Sequence, residues 1–191
     1  ERYIMFSQWR SLKNYIHVFK NVVPRVLCDE IVNYYRYSNE WEEARIQGDL
    51  KSNKSKVKKT ARNCSDLLLT EPMFLKPLYN IMSNCLGRYI EKHLDVQDYV
   101  SSSEKYVLLK YDCNNFYTRH IDAHANTPRT ISLTLSLNDN YKGGEFSFFD
   151  DDYKLNLEKG SALMFPSNFM YPHGVLPVKM GTRYSIVTWF N

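Results

Sequence analysis

Residues 105–190 decide the fold, and they read as a series of short runs: KYVLLKY (105–111), FYTRHI (116–121), RTISLTLSLN (129–138), GEFSFFD (144–150), SALMFP (161–166), HGVLPV (173–178) and TRYSIVTWF (182–190). Each is rich in β-branched and aromatic residues. The breakers NN, TP, NDN, KGG, EKG, PSN and KMG separate them, so each run is predicted to be one strand. Seven or eight strands at this spacing predict an antiparallel sandwich or barrel. Upstream the period changes from two to three and four. Pro24 opens RVLCDEIVNYYRYS, with Val26, Leu27, Ile31, Val32 and Tyr35 at helical spacing, and a longer amphipathic helix is predicted from about Glu71 to Leu94. Helices first and strands after make an α+β chain, mainly β, with its helices packed outside one sheet and its chemistry in the β half.

Composition narrows the class. The 191 residues are enough for one domain with a sizeable core, and no Pro/Gly/Ser-rich linker divides them, so 1–191 reads as a single unit. Helical cover and flap would occupy roughly 1–102 and the β core roughly 103–191. A net charge of +4 is too small and too dispersed for a nucleic-acid surface. No run is long enough to span a membrane, and the first residues lack the pattern of a signal peptide. Cys28, Cys64, Cys85 and Cys113 show no metal-ligand spacing and are expected to be reduced thiols of a cytoplasmic protein. One run stands out: KSNKSKVKKTAR (51–62) carries six basic residues and no acid, and reads as a solvated loop or as a flap over substrate.

His120 and Asp122 stand two apart at what looks like a strand end, so period-two alternation sends both side chains to one face. His173 follows 51 residues after Asp122, placed to return on a facing strand. Two imidazoles and a carboxylate on one side of a metal leave positions open, which suits Fe(II) with a bidentate co-substrate and O2, whereas structural zinc would want a fourth ligand. Ten residues after His173, Arg183 is the one basic residue in an apolar and aromatic strand. A guanidinium there needs an anion, and its fork fits a carboxylate such as the distal one of 2-oxoglutarate. Alternation places Ser185, Val187 and Trp189 on the same face.

RHID, YKGGEFSFFD and EKGSALMFPSNFMYPHGVLPVKMGTRYSIVTWF resemble, in order and spacing, the 2-oxoglutarate- and Fe(II)-dependent dioxygenases of the prolyl 4-hydroxylase type, from about Lys105 to Asn191. The resemblance implies a double-stranded β-helix, or jelly roll, with iron near one mouth. It makes His120, Asp122 and His173 the iron ligands and Arg183 the partner of the co-substrate's distal carboxylate. Tyr111 matches a tyrosine lining the co-substrate pocket. Ser136 stands where some relatives carry tyrosine, and with Thr134 it becomes a candidate contact. The resemblance further implies O2 as co-substrate, L-ascorbate as reductant, succinate and CO2 as products, and hydroxylation of a C–H bond. Halogenating relatives lack the carboxylate that Asp122 supplies. Repair of alkylated bases is disfavoured, because those relatives carry a second arginine six residues after the first, where this chain has Trp189. A peptidyl residue, proline first, is the expected substrate. A free amino acid or small metabolite is the alternative within the enzyme class, and a jelly roll that binds without turnover the alternative outside it.

Other polar residues carry plainer expectations. His124 is expected at the rim after a turn at HANTP, and Arg119 facing away from the metal in an ion pair. Gly143 and Gly144 should mark a tight connection, Asp150 to Asp152 a hairpin tip, and His17 and His93 packing positions.

Overall fold

A computed structural model describes residues 11–46 and 55–191. The first part of the chain forms β1 (His17–Phe19), α1 (Arg25–Tyr35), β2 (Glu42–Glu43), β3 (Arg45–Ile46), β4 (Lys56–Val57), β5 (Arg62–Asn63), β6 (Ser65–Leu68) and α2 (Pro72–Ile90). The second part forms β7 (Val107–Tyr111), β8 (Phe116–His120), β9 (Ile131–Ser136), β10 (Lys142–Gly143), β11 (Phe146–Phe148) and β12 (Tyr153–Leu155). It closes with β13 (Ala162–Pro166), β14 (His173–Val175), β15 (Val178–Met180) and β16 (Arg183–Phe190).

A seven-stranded sheet runs β1-β13-β9-β16-β7-β6-β2 and a five-stranded sheet β12-β11-β14-β8-β5. Along the chain β7, β9, β13 and β16 fall in the larger sheet while β8, β11 and β14 fall in the smaller one. The chain therefore winds back and forth between two facing antiparallel sheets, which is the path of a double-stranded β-helix.

Alternation explains which residues face what. Leu108, Ile131, Leu133, Leu135, Met164 and Ile186 point outward and meet Ile31, Phe74, Leu78 and Met82 of the two helices. Their sequence neighbours Leu109, Leu163, Phe165 and Val187 point inward and meet Phe146 and Phe148 of the smaller sheet. Strand β9, ISLTLS, is buried throughout, so its alternation separates an apolar helix-facing side from a polar side turned into the barrel. Leu78 is fully buried between α2 and the sheet. Leu78→Ala is expected to lower stability by about 2–5 kcal/mol, read as a lower denaturant midpoint at unchanged m-value.

The strands in the first half differ from the helical cover expected there. Strand β1 extends the larger sheet at one edge by pairing with β13, and β6 and β2 extend it at the other beyond β7. His17 on β1 is tied to His93 beyond α2 by a ring contact of 2.8 Å between their Nε2 atoms, so both pin an edge strand to the helix. Helix α2 stops at Ile90, and a 3-10 turn covers Leu94–Tyr99.

The basic run 51–62 is not one loop. Lys51 and Lys54 lie outside the described residues, Lys56 and Lys58 are exposed, and Lys59 pairs with Glu43. Arg62 leaves the group altogether: it lies on β5, pairs in register with Tyr117 of β8, and only 14% of its side chain is exposed. None of the four cysteines forms a disulfide, and three are buried. Among the described residues no helix is long and apolar enough to cross a membrane.

Candidate metal centre and active site

Strand β14 pairs with β8 so that His173 stands opposite His120. Asp122 follows two residues later, just past the end of β8, where its backbone N–H donates to the Ser167 carbonyl at 3.2 Å. The Nε2 atoms of His120 and His173 each stand 3.5 Å from a different oxygen of Asp122. The ligand atoms of all three residues lie within 4.8 Å of one another. Donors bound to one ion at roughly 2.0–2.2 Å stand about 3–4 Å apart, and the two His–Asp separations of 3.5 Å fit that spacing, so this set could hold a single metal ion.

The outer contacts fix each ligand's orientation. His120 Nδ1 is 2.9 Å from the Thr118 carbonyl and His173 Nδ1 is 3.1 Å from that of Tyr171. Each ring thus donates its Nδ1–H to backbone and keeps the Nε2 lone pair for the metal. Burial, and then the neighbouring His120, push His173 down to about 4, so its imidazole is neutral. Burial alone would raise Asp122, but the His173 and His120 rings when protonated, together with the Ser132 hydroxyl, outweigh it and hold the carboxyl well below the usual range. Ser132 Oγ donates to Asp122 Oδ2 at 2.6 Å and lies 2.8 Å from Ser167 Oγ. Ser132→Ala is therefore expected to weaken metal affinity about 10–100-fold with the fold intact, measured by titration of Fe(II) into the metal-free protein without oxygen.

Arg183 enters the same cavity from β16. It is 2% exposed, Nη1 donates to Ser185 Oγ at 2.9 Å, and the guanidinium lies 5.2 Å from the Tyr111 ring and 5.7 Å from the Phe146 ring. No described acid pairs with it, and its Nε is buried without a hydrogen-bond partner. A buried cation with unspent donors fits an absent carboxylate.

Residues 106–191 match the model of the 2OG-Fe(II) oxygenase superfamily. They belong to that superfamily. The oxygenase fold is shared with a Pseudomonas putida prolyl-4-hydroxylase, at 21% identity and TM-score 0.72 over 93% of this chain and 92% of that one. A Trichoplax adhaerens prolyl hydroxylase in complex with a hypoxia inducible factor peptide fragment is similar, at 19% identity and TM-score 0.72 over 93% and 83%. In sequence the chain is 26% identical to a PKHD-type hydroxylase of Shewanella sp. (strain MR-7), over 88% of its own length and 76% of that protein. It is also 37% identical over 72 residues to prolyl 3-hydroxylase 2 of Rattus norvegicus, covering 35% of this chain but 10% of that one.

The oxygenase cavity holds about 570 Å3 and is lined by the three candidate ligands together with Tyr111, Thr134, Arg183, Ser185 and Trp189. Ser136 is not among its lining residues: its hydroxyl donates to the Asn138 and Leu157 carbonyls. Its neighbour on the same strand face, Ser132, reaches the site instead. His124 lines the cavity beyond a bend, and Arg119 pairs with Asp150 at 2.6 Å on the surface. Gly143 and Gly144 take φ of +73° and +69°, and a Cβ on Gly143 would lie 2.4 Å from the Pro177 carbonyl oxygen.

Three lining residues were not expected from sequence. Tyr117 stacks on His120 with ring centroids 3.6 Å apart, and the Arg62 guanidinium lies 4.8 Å from the other ring of that pair, Tyr117. Arg129 lies 3.5 Å over Trp189 and grips Glu104 through two hydrogen bonds of 2.6 and 2.7 Å. The register between β8 and β14 shifts, His120 facing His173 but Tyr117 facing Val175. That bulge breaks strict alternation and brings Tyr117 to the side of His120.

Proposed function

We propose that this oxygenase hydroxylates a C–H bond of a peptidyl residue, proline first, with 2-oxoglutarate consumed and succinate and CO2 released. The observation that carries the co-substrate is Arg183: a buried guanidinium with no acid partner among the described residues, in the same cavity as two histidines and a carboxylate. Fe(II) and 2-oxoglutarate supply O2 activation when bound, one oxygen atom entering the substrate and the other the succinate. His120, Asp122 and His173 would hold the metal, and Arg183 with Ser185 would hold the far carboxylate. Phe146, Phe165 and Val187 close the inner wall and keep water from the reacting centre. Ascorbate is proposed as the reductant that keeps iron ferrous.

A peptide is favoured over a small metabolite by the shape of the mouth. Arg62, Arg129 and Trp189 line both the cavity and an adjoining surface groove of about 580 Å3, so an extended chain could lie in the groove with one residue in the cavity. The Trichoplax relative is described in complex with a peptide. The pure protein incubated with Fe(II), ascorbate and 2-oxoglutarate is expected to form succinate, faster with a suitable proline peptide, which gains one oxygen by mass. Succinate no higher than in the enzyme-free control would overturn the oxygenase reading. Succinate coupled to a free amino acid and to no peptide would overturn the peptidyl one.

A further inference from the structure

We propose that Arg62 and Arg45 form an anion-binding subsite at the cavity mouth, and that the preferred peptide carries an acidic side chain one or two positions from the hydroxylated residue. This rests on the peptidyl reading above. Among the described residues the cavity wall carries five arginines, Arg45, Arg62, Arg119, Arg129 and Arg183, against one acid, Asp122, which the metal requires. Arg183 points to the co-substrate. Arg119 is satisfied by Asp150 and Arg129 by Glu104. The excess positive charge is left on the wall built by β3 and β5.

The arrangement there is built to accept a ligand. Arg62 Nη1 donates to the Arg45 carbonyl at 2.8 Å and the guanidinium packs on Tyr117, which fixes its plane. Asp66 approaches Nη2 no closer than 4.0 Å and does not line the cavity. Nε of Arg62 is buried with no partner, a donor left over in a largely desolvated group. Arg45, exposed at the mouth, adds a second guanidinium with Asp66 as a shared and more distant counter-charge. Tyr117 separates Arg62 from His120 by one ring layer. An extended chain advances about 3.3–3.6 Å per residue, so a side chain one or two residues from the target falls at this wall.

The test uses short amidated peptides with a central proline, identical except for Asp, Asn or Lys at the flanking positions, so that no terminal carboxylate competes. With the wild-type protein, kcat/KM is expected to be about tenfold or more higher for Asp than for Asn peptides, chiefly through KM, and the ratio should fall as salt is raised. Arg45→Gln, an exposed change that leaves the core alone, should shrink the ratio, Arg62→Gln should abolish it, and Arg45→Glu should shift preference toward Lys. Equal use of Asp and Asn peptides, or a ratio unchanged in Arg45→Gln and Arg45→Glu, would overturn the subsite while leaving the peptidyl reading standing. Turnover of free amino acids but of no peptide would overturn both.

Discussion

His173→Ala is expected to lose Fe(II) and all turnover. The side chain is 4% exposed, its imidazole is held neutral by burial, and the Tyr171 carbonyl fixes its tautomer, so the lone pair is ready for a metal without reorganisation. Without it two donors remain, His120 at the end of β8 and Asp122 two residues on, and no third joins them among the described residues. The loss should exceed the roughly 10–100-fold that removing an outer partner such as Ser132 costs. Because the ring also packs against Phe148 and Phe165, the variant is best compared with Asp122→Asn, which preserves shape and changes the donor. Both should fail to retain iron after gel filtration without oxygen, while thermal unfolding of the metal-free proteins shows that each is folded. Full iron retention in His173→Ala would overturn the ligand assignment.

Arg183→Ala is expected to weaken 2-oxoglutarate binding by about 2–5 kcal/mol, roughly 30-fold to several thousand-fold, while metal binding survives. Arg183 is fully buried, so its attraction for a carboxylate is not screened as it would be at the surface. The desolvation cost of the guanidinium is already met in the fold, and the anion recovers it. A ligand that binds the native state stabilises it in proportion to its affinity, by about 2.7 kcal/mol at a hundred times Kd. Addition of 2-oxoglutarate should therefore raise the melting temperature of wild type and leave that of Arg183→Ala unmoved. Arg183→Lys should fall between them, because an ammonium keeps the charge and loses the two-pronged geometry. An unchanged affinity in Arg183→Ala would count against the co-substrate assignment.

The β half was legible because most of its strands follow period two. Alternation along TRYSIVTWF put Arg183, Ser185, Val187 and Trp189 on one face, and all four line the cavity. From ISLTLS the resemblance offered Ser136 and Thr134, and Thr134 lines the cavity, yet the residue that meets Asp122 is Ser132, and Ser136 turns to backbone carbonyls. Which hydroxyl meets Asp122 depends on where the barrel brings the end of β8, a tertiary fact that periodicity does not hold. Tyr117 was hidden for a related reason: the bulge between it and His120 reverses the face that alternation assigns. The strands β1 to β6 were not foreseen, since most have two or three residues and are stabilised by partners far along the chain. Arg62 was masked by composition. Within KSNKSKVKKTAR it reads as one more solvated charge, and only pairing with β8 takes it out of water.

One cavity is proposed to bind a metal through His120, Asp122 and His173 and an adjoining carboxylate through Arg183. The most direct measurement is calorimetric titration of 2-oxoglutarate, in the absence of oxygen, into the protein with and without Fe(II), for wild type, His173→Ala and Arg183→Ala. The predicted result is one 2-oxoglutarate per chain in the iron-loaded wild type, much weaker binding without iron, and loss of the strong site in both variants. Equal affinity with and without iron, or undiminished binding by Arg183→Ala, would contradict a shared metal and carboxylate site.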